Sequence, residues 1–216
     1  MSPLRVRRIF ETLRAANPEP RSELHYRSPF ELLVAVMLSA QATDRSVNLA
    51  TAGLFKVAAK PQAMLELELA GLKRHIKTVG LYNTKARNVL ATCRLLIEQH
   101  GGKVPSERDS LEALPGVGRK TANIVLNIAF GEPTLGVDTH VFRVANRTGL
   151  YRAATPRLVE DGLLQVIPAQ FRRHAHHWLV LHGRYVCKAR RPQCPRCPIE
   201  RWCEFEHKTQ DTGAAA

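Results

Sequence analysis

Hydrophobic positions recur at helical spacing along almost the whole chain, and no stretch alternates like a strand bounded by hairpin turns. The first segment, MSPLRVRRIFETLRAANPEP, reads as a basic amphipathic helix ending near Asn17-Pro18. Ser28-Pro29-Phe30-Glu31 then offers Ser at the N-cap, Pro at the first helical position and Glu at the third, a strong start signal. The run after it, ELLVAVMLSAQAT, is apolar on nearly every face as far as Ala40. That pattern predicts a buried central helix whose end delivers Ser39, Gln41 and Thr43 to a surface or cleft.

Further helices are predicted over Arg45 to Lys56, from Pro61 with Gly71 near its end, and over Leu72 to Thr78 with Gly80 as the closing C′ residue. Asn83 caps a helix over Thr84 to Gln99, closed by Gly101-Gly102. Asp109, with Glu112 three residues on, opens a segment that breaks at Leu114-Pro115-Gly116-Val117-Gly118 and restarts over Arg119 to Phe130, where Gly131 and Pro133 stop it. Asp138 caps Thr139 to Arg147, Thr155-Pro156 opens a helix that Pro168 ends, and Phe171 to Val186 forms the last long one. The expected fold is all-α with short connections, with soft boundaries near Glu19-Pro20 and Gly131-Glu132-Pro133. There is no repeat, and low complexity is confined to the terminal TGAAA, which is expected to fray.

The 216 residues are 44% hydrophobic and 24% charged, ordinary values for a globular chain with a real core. No run approaches 18 apolar residues, and the charged N-terminus has no apolar signal core, so no membrane span is expected and a cytoplasmic location is. Lys and Arg number 32 against 19 Asp and Glu, a formal +13 that asks for a polyanionic partner. Nucleic acid leads, because cations on phosphate gain affinity by releasing counterions. An anionic membrane surface competes less well, since the charge is spread along the chain and not gathered on one helix face.

Of five cysteines, Cys93 lies alone inside a helix and reads as a small core residue. Cys187, Cys194, Cys197 and Cys203 follow a C-x6-C-x2-C-x5-C spacing. Nothing indicates secretion, so metal ligation suits four thiols in one short loop better than disulfides. Tetrahedral Zn²⁺ and a [4Fe–4S] cluster both remain open on spacing alone. Between the first two ligands, Lys188, Arg190 and Arg191 form a cationic knuckle suited to phosphate, flanked by Arg184, Arg196 and Arg201.

The stretch LEALPGVGRKTAN is not a P-loop, because Arg119 stands between Gly118 and Lys120. Nor is it a dinucleotide fingerprint, because Thr121 occupies the third glycine position and no strand precedes it. What remains is helix, tight Gly116-Val117-Gly118 turn, helix. The second helix directs free N–H groups and partial positive charge outward, a site for an anion that reads no sequence. Lys120 sits in its first turn, where the cationic helix end disfavours the ammonium form and would leave a usable nucleophile. Asp138, in GVDTHVF, reads as an N-cap that could also stabilise developing positive charge.

Together LLVAVMLSAQATD, IKTVGLYNTKA, LPGVGRKTAN, VDTHVFRV, HHWLVLHGRYVC and the four-cysteine pattern closely resemble the endonuclease III family of DNA glycosylases, within the helix-hairpin-helix superfamily. The resemblance covers nearly the whole chain. It implies a six-helix barrel over residues 21–131, a [4Fe–4S] cluster domain built from 1–20 and 132–216, and a DNA cleft between them. It selects iron–sulfur over zinc at Cys187, Cys194, Cys197 and Cys203. It makes Lys120 the nucleophile and Asp138 its partner carboxylate, and moves Gln41 and Leu81 from helix-end residues to wedges that enter the duplex. The His-rich stretch at His174, His176, His177 and His182 is expected to be structural.

The resemblance implies a bifunctional enzyme of base-excision repair. It would remove oxidised pyrimidines of the thymine-glycol type and cut abasic sites by β-elimination, acting as a monomer on double-stranded DNA at the nucleoid. An adenine-mismatch glycosylase, which does not use the hairpin lysine, is the nearest enzymatic alternative, and a non-catalytic DNA-binding module is the alternative from another class.

Overall fold

The computed structural model describes residues 1–210; the TGAAA terminus lies outside them. Its described residues form eleven α-helices and two 3₁₀ turns and contain no strand. They divide into two compact units, one spanning Ser22–Glu132 and the other joining Met1–Arg21 to the chain from Pro133 onward.

In the Ser22–Glu132 unit the organising element is α2 (Pro29–Ser39). The Ser28 hydroxyl accepts from the Glu31 N–H at 3.2 Å. The buried Glu31 carboxylate reaches back to the N–H of Arg27 at 2.7 Å and pairs with its guanidinium at 3.1 Å. This is a capping box shifted out by one residue. Every residue from Phe30 to Leu38 is buried. Helices α3 (Asp44–Val57), α6 (Tyr82–His100) and α8 (Arg119–Phe130) pack against α2. The remaining segments are α4 (Pro61–Glu66), α5 (Glu68–Ile76) and α7 (Arg108–Glu112).

Two local expectations need correction. The helix opened by Pro61 ends before Gly71: the chain breaks at Leu67, Glu68 takes a left-handed φ of 54°, and Gly71 lies inside α5. The left-handed residue expected at Gly80 falls instead on Leu81, φ 59°, which becomes the N-cap of α6 in place of Asn83.

The other unit is built on α1 (Pro3–Ala16), α9 (Thr139–Thr148), α10 (Pro156–Val166) and α11 (Ala169–Tyr185). Val6, Ile9, Phe10 and Leu13 form the buried stripe of α1. Phe10 meets Phe171 and Trp178 at ring-centroid distances of 5.8 and 6.2 Å, and the Trp178 indole N–H donates to the Asn17 carbonyl at 2.7 Å. These contacts explain why the first residues of the chain fold with its last third. Two 3₁₀ turns, Cys194–Arg196 and Glu200–Trp202, follow α11 and were not foreseen.

His177 on α11 is buried, with no hydrogen-bond partner for Nδ1. Burial, helped by neighbouring His176, His174 and Arg173, pushes its imidazole down to about 3 from the ordinary 6.5. The unfolded chain therefore takes up this proton first as pH falls. The stability it contributes is complete above 6.5 and is lost on descent towards 3. Between pH 7 and pH 5 this one group should cost about 2 kcal/mol of unfolding free energy. Denaturant titrations at the two pH values check it: His177→Gln should flatten the difference by that amount, and an unchanged difference would show that His177 is not the source.

Candidate functional site

The hairpin is set by α7, the turn from Ala113 to Gly118, and α8. Val117 turns its side chain into the core and its N–H to the Leu114 carbonyl at 3.0 Å, so it anchors the turn from inside. Gly116 has φ 80°, and a Cβ there would stand 2.6 Å from Nδ2 of Asn88 on α6, so only glycine fits. Thr92, also on α6, donates its hydroxyl to the Pro115 carbonyl at 3.0 Å. The face of α6 thus cradles the turn.

Gly118 is the N-cap of α8, and no side chain caps this end. The first intrahelical bond is from Ala122 N–H to the Gly118 carbonyl. The amides of the first turn precede that bond and have no carbonyl of their own helix to reach, at an end where Gly118 and Lys120 are exposed. Phosphate fits such an end by hydrogen bonding and by the helix dipole. The Lys120 amine is carried on a rigid first turn and open to solvent.

Asp138 is the N-cap of α9. Its Oδ1 accepts from the N–H groups of His140 and Val141 at 2.9 and 2.8 Å. Both bonds fall on one oxygen, so Oδ2 keeps its lone pairs on a half-buried carboxylate. The same helix carries Arg143 and Arg147 one turn apart. Arg143 donates to the carbonyls of Gly183 and Cys187 at 2.7 and 3.0 Å. Burial lowers its pKa, an effect the nearby Cys187 and Asp138 partly offset. Arg147 donates to the carbonyls of Lys188 and Ala189 at 2.7 and 3.0 Å and lies over the Phe205 ring. Neither arginine was singled out from the sequence, where each looks like an ordinary polar position of an amphipathic helix. Together they hold the main chain that follows Cys187 and leave the side chains of Lys188, Arg190 and Arg191 exposed.

Cys187, Cys194, Cys197 and Cys203 line one partly open cavity with Arg147, His182 and Phe205. Arg147 approaches the Cys187 sulfur at 3.6 Å, and His182 Nε2 lies 3.7 Å from the Cys197 sulfur. Burial raises the Cys203 thiol and pushes Cys197 up to about 11, so these sulfurs need a cationic centre to become thiolates. Among the described residues no three candidate ligands are gathered closely enough to hold one metal ion. Four cysteines around one cavity fit the chemistry of an inorganic centre that takes a thiolate at each corner, tetrahedral zinc or a [4Fe–4S] cluster alike. Cys93, by contrast, is wholly buried, and burial pushes its thiol up to about 12.

Gln41 and Leu81 are exposed, Leu81 to 61%, and both have left-handed backbones, with φ 53° and 59°. Non-glycine residues pay for this conformation, which marks functional sites more often than random loops. They are neighbours: a Cβ on Gly80 would lie 3.6 Å from the Gln41 carbonyl oxygen. Lys85, missed in the sequence, lies beneath them. It sits on the apolar stripe of α6 with Val89, Cys93 and Leu96, and a lysine on such a stripe was the available signal. Its ammonium donates to the carbonyls of Leu38 and Ala40 at 2.8 and 2.6 Å, and burial lowers its pKa.

An all-helical chain with an uncapped hairpin helix, a lysine in that helix's first turn and a four-thiol cavity has the parts of a helix-hairpin-helix DNA repair protein. The family model for the HhH-GPD superfamily of base excision DNA repair proteins matches residues 34–169. Endonuclease III of Escherichia coli strain K12 is 60% identical over 200 residues, covering 93% of this chain and 95% of that protein. Endonuclease III of Haemophilus influenzae is 58% identical over 202 residues, covering 94% and 96%. This chain belongs to the endonuclease III family.

Among solved structures, a trapped endonuclease III–DNA covalent intermediate superposes with a TM-score of 0.89 at 43% identity, over 94% of this chain and 96% of that one. A thermostable thymine-DNA glycosylase, 24% identical with a TM-score of 0.84, shares the fold. No helix among the described residues is long and apolar enough to cross a membrane.

Proposed function

We propose that this protein excises oxidised pyrimidines from double-stranded DNA and then cleaves the abasic strand by β-elimination. The observation that carries the reading is the exposed Lys120 amine at the uncapped N-terminus of α8, in a chain 60% identical to endonuclease III. The Gly116-Val117-Gly118 turn and the α8 amides take a backbone phosphate without reading sequence. Gln41 and Leu81 enter the gap as the damaged base leaves the stack, a departure made cheaper because an oxidised ring stacks poorly.

The Lys120 nitrogen attacks C1′ with its lone pair. The glycosidic bond breaks, its electron pair leaves with the base, and the base picks up a proton. Opening of the sugar ring gives an imine between Lys120 and C1′. The imine acidifies the C2′ hydrogen, whose loss expels the 3′ phosphate and cuts the strand on that side of the lesion. Water then hydrolyses the imine and frees the lysine. Asp138 stabilises the positive charge that develops on the sugar and assists proton transfer.

Cys187, Cys194, Cys197 and Cys203 would hold a [4Fe–4S] cluster, which supplies a rigid cross-link and no electron to either step. Residues 1–20 and 132–216 are then the cluster domain, and residues 21–131 are the barrel domain. The enzyme works as a monomer on DNA in the cytoplasm. Incubation with thymine-glycol duplex and borohydride tests the reading: reduction of the imine should leave a stable protein–DNA adduct, and DNA binding with neither adduct nor base release would refute it.

Lys188, Arg190 and Arg191 supply further phosphate contacts from the loop that Arg143 and Arg147 hold. Replacing Arg190 and Arg191 together by alanine should weaken binding and lower the slope of log affinity against log salt by about 2. Affinity titrations across a salt series measure this directly, and an unaltered slope removes the loop from the interface.

A further inference from the structure

We propose that Lys85 is the positioning residue that fixes Gln41 and Leu81 as a single wedge, and so controls how the duplex is opened. The proposal rests on the reading of those two residues as the groups that fill the gap. The geometry is specific. The Lys85 ammonium donates to the carbonyl of Ala40, the residue joined to Gln41, at 2.6 Å, and to that of Leu38 at 2.8 Å. The main-chain N–H of the same residue makes the first-turn bond of α6, to the Leu81 carbonyl at 3.1 Å, as any residue here would. The Lys85 side chain therefore ties the backbone beside Gln41 to the start of the helix that Leu81 caps, joining two exposed, left-handed residues that lie 40 positions apart in sequence.

The ammonium also completes the C-terminus of α2. The Val36 carbonyl accepts from the Ser39 hydroxyl at 2.8 Å and the Ser39 carbonyl from the Ala42 N–H at 3.1 Å. Lys85 serves Leu38 and Ala40, and its charge suits the negative end of the helix. It does so while buried to 7% exposure and without a carboxylate partner. A buried cation with no carboxylate beside it among the described residues is expensive, and a neutral donor could serve carbonyls at lower desolvation cost. What the charge adds is a fixed distance between two segments whose exposed residues share one task.

The test uses the full-length protein and a duplex carrying a tetrahydrofuran abasic analogue opposite 2-aminopurine, whose fluorescence rises when it is unstacked. Single-turnover release from thymine-glycol duplex and affinity for undamaged DNA are measured alongside. Lys85→Met should lose most of the fluorescence rise and slow release by about 10-fold or more, with undamaged-DNA affinity unchanged. Lys85→Arg, which keeps a donor cation, should recover part of both. If Lys85→Met does not fold, Lys85→Gln, which can keep one of the two carbonyl bonds, is scored in the same way. A wild-type fluorescence rise in the folded variant overturns the proposal. So does a loss that tracks equal losses in melting temperature and undamaged-DNA affinity, which would mean a purely structural role. Gln41→Ala and Leu81→Ala separate the two levels. If neither variant alters fluorescence or release, the wedge reading itself fails. If they do and Lys85→Met does not, only the positioning role is lost.

Discussion

Lys120→Ala should abolish the borohydride-trapped adduct and slow base release by about 1,000-fold or more, because the reacting nitrogen is gone. The substitution is clean. Lys120 is exposed in the first turn of α8 and makes no side-chain hydrogen bond within the described residues. Alanine is the better helix former, so stability should stay within about 0.5 kcal/mol. Affinity should fall only modestly, since the amides of the turn and the cationic loop remain. Adduct yield on a denaturing gel and single-turnover release together decide it. An adduct at wild-type yield in the variant would place the nucleophile elsewhere.

The second large effect is expected at Asp138, where two roles share one carboxylate and can be separated by choice of substitution. Asparagine caps a helix about as well as aspartate, so Asp138→Asn should keep the bonds from His140 and Val141 and hold stability within a few tenths of a kcal/mol. It removes the negative charge, and with it the stabilisation of a cationic sugar. Release should fall by about 100-fold, a loss of about 3 kcal/mol in the barrier. Asp138→Ala should lose the same activity and about 1 kcal/mol of stability besides. Thermal melting measured beside single-turnover rates resolves the two. If Asp138→Asn works at the wild-type rate while Asp138→Ala merely melts earlier, the residue is a cap and nothing more.

Helix starts carried by local chemistry were legible in the sequence. Ser28-Pro29-Glu31, Asp138 and Thr155-Pro156 each place a side-chain acceptor where the first turn needs one, and each begins a helix as expected. The hairpin was legible for the same reason, since proline and two glycines leave the backbone few options. The errors arose where nothing in the local sequence announces the conformation. Leu81 adopts the left-handed backbone that Gly80 seemed suited to, and there it becomes the N-cap of α6. The break at Leu67 and Glu68 has no glycine or proline to announce it. Lys85, Arg143 and Arg147 were invisible as site residues because their partners are main-chain carbonyls, which carry no sequence signature. The four cysteines were readable as a group and line one cavity, but their spacing was silent on which centre would suit them.

Helix α6 meets the α2 terminus through Lys85 and the hairpin through Asn88 and Thr92. Seven residues separate Lys85 from Thr92, about 10 Å along a rod that rises about 1.5 Å per residue. The rod acts as a ruler: on the proposed reading it would set the offset between the place where the duplex is pried apart and the turn that grips its backbone. A single residue added between those two marks would rotate one end about 100° away from the other.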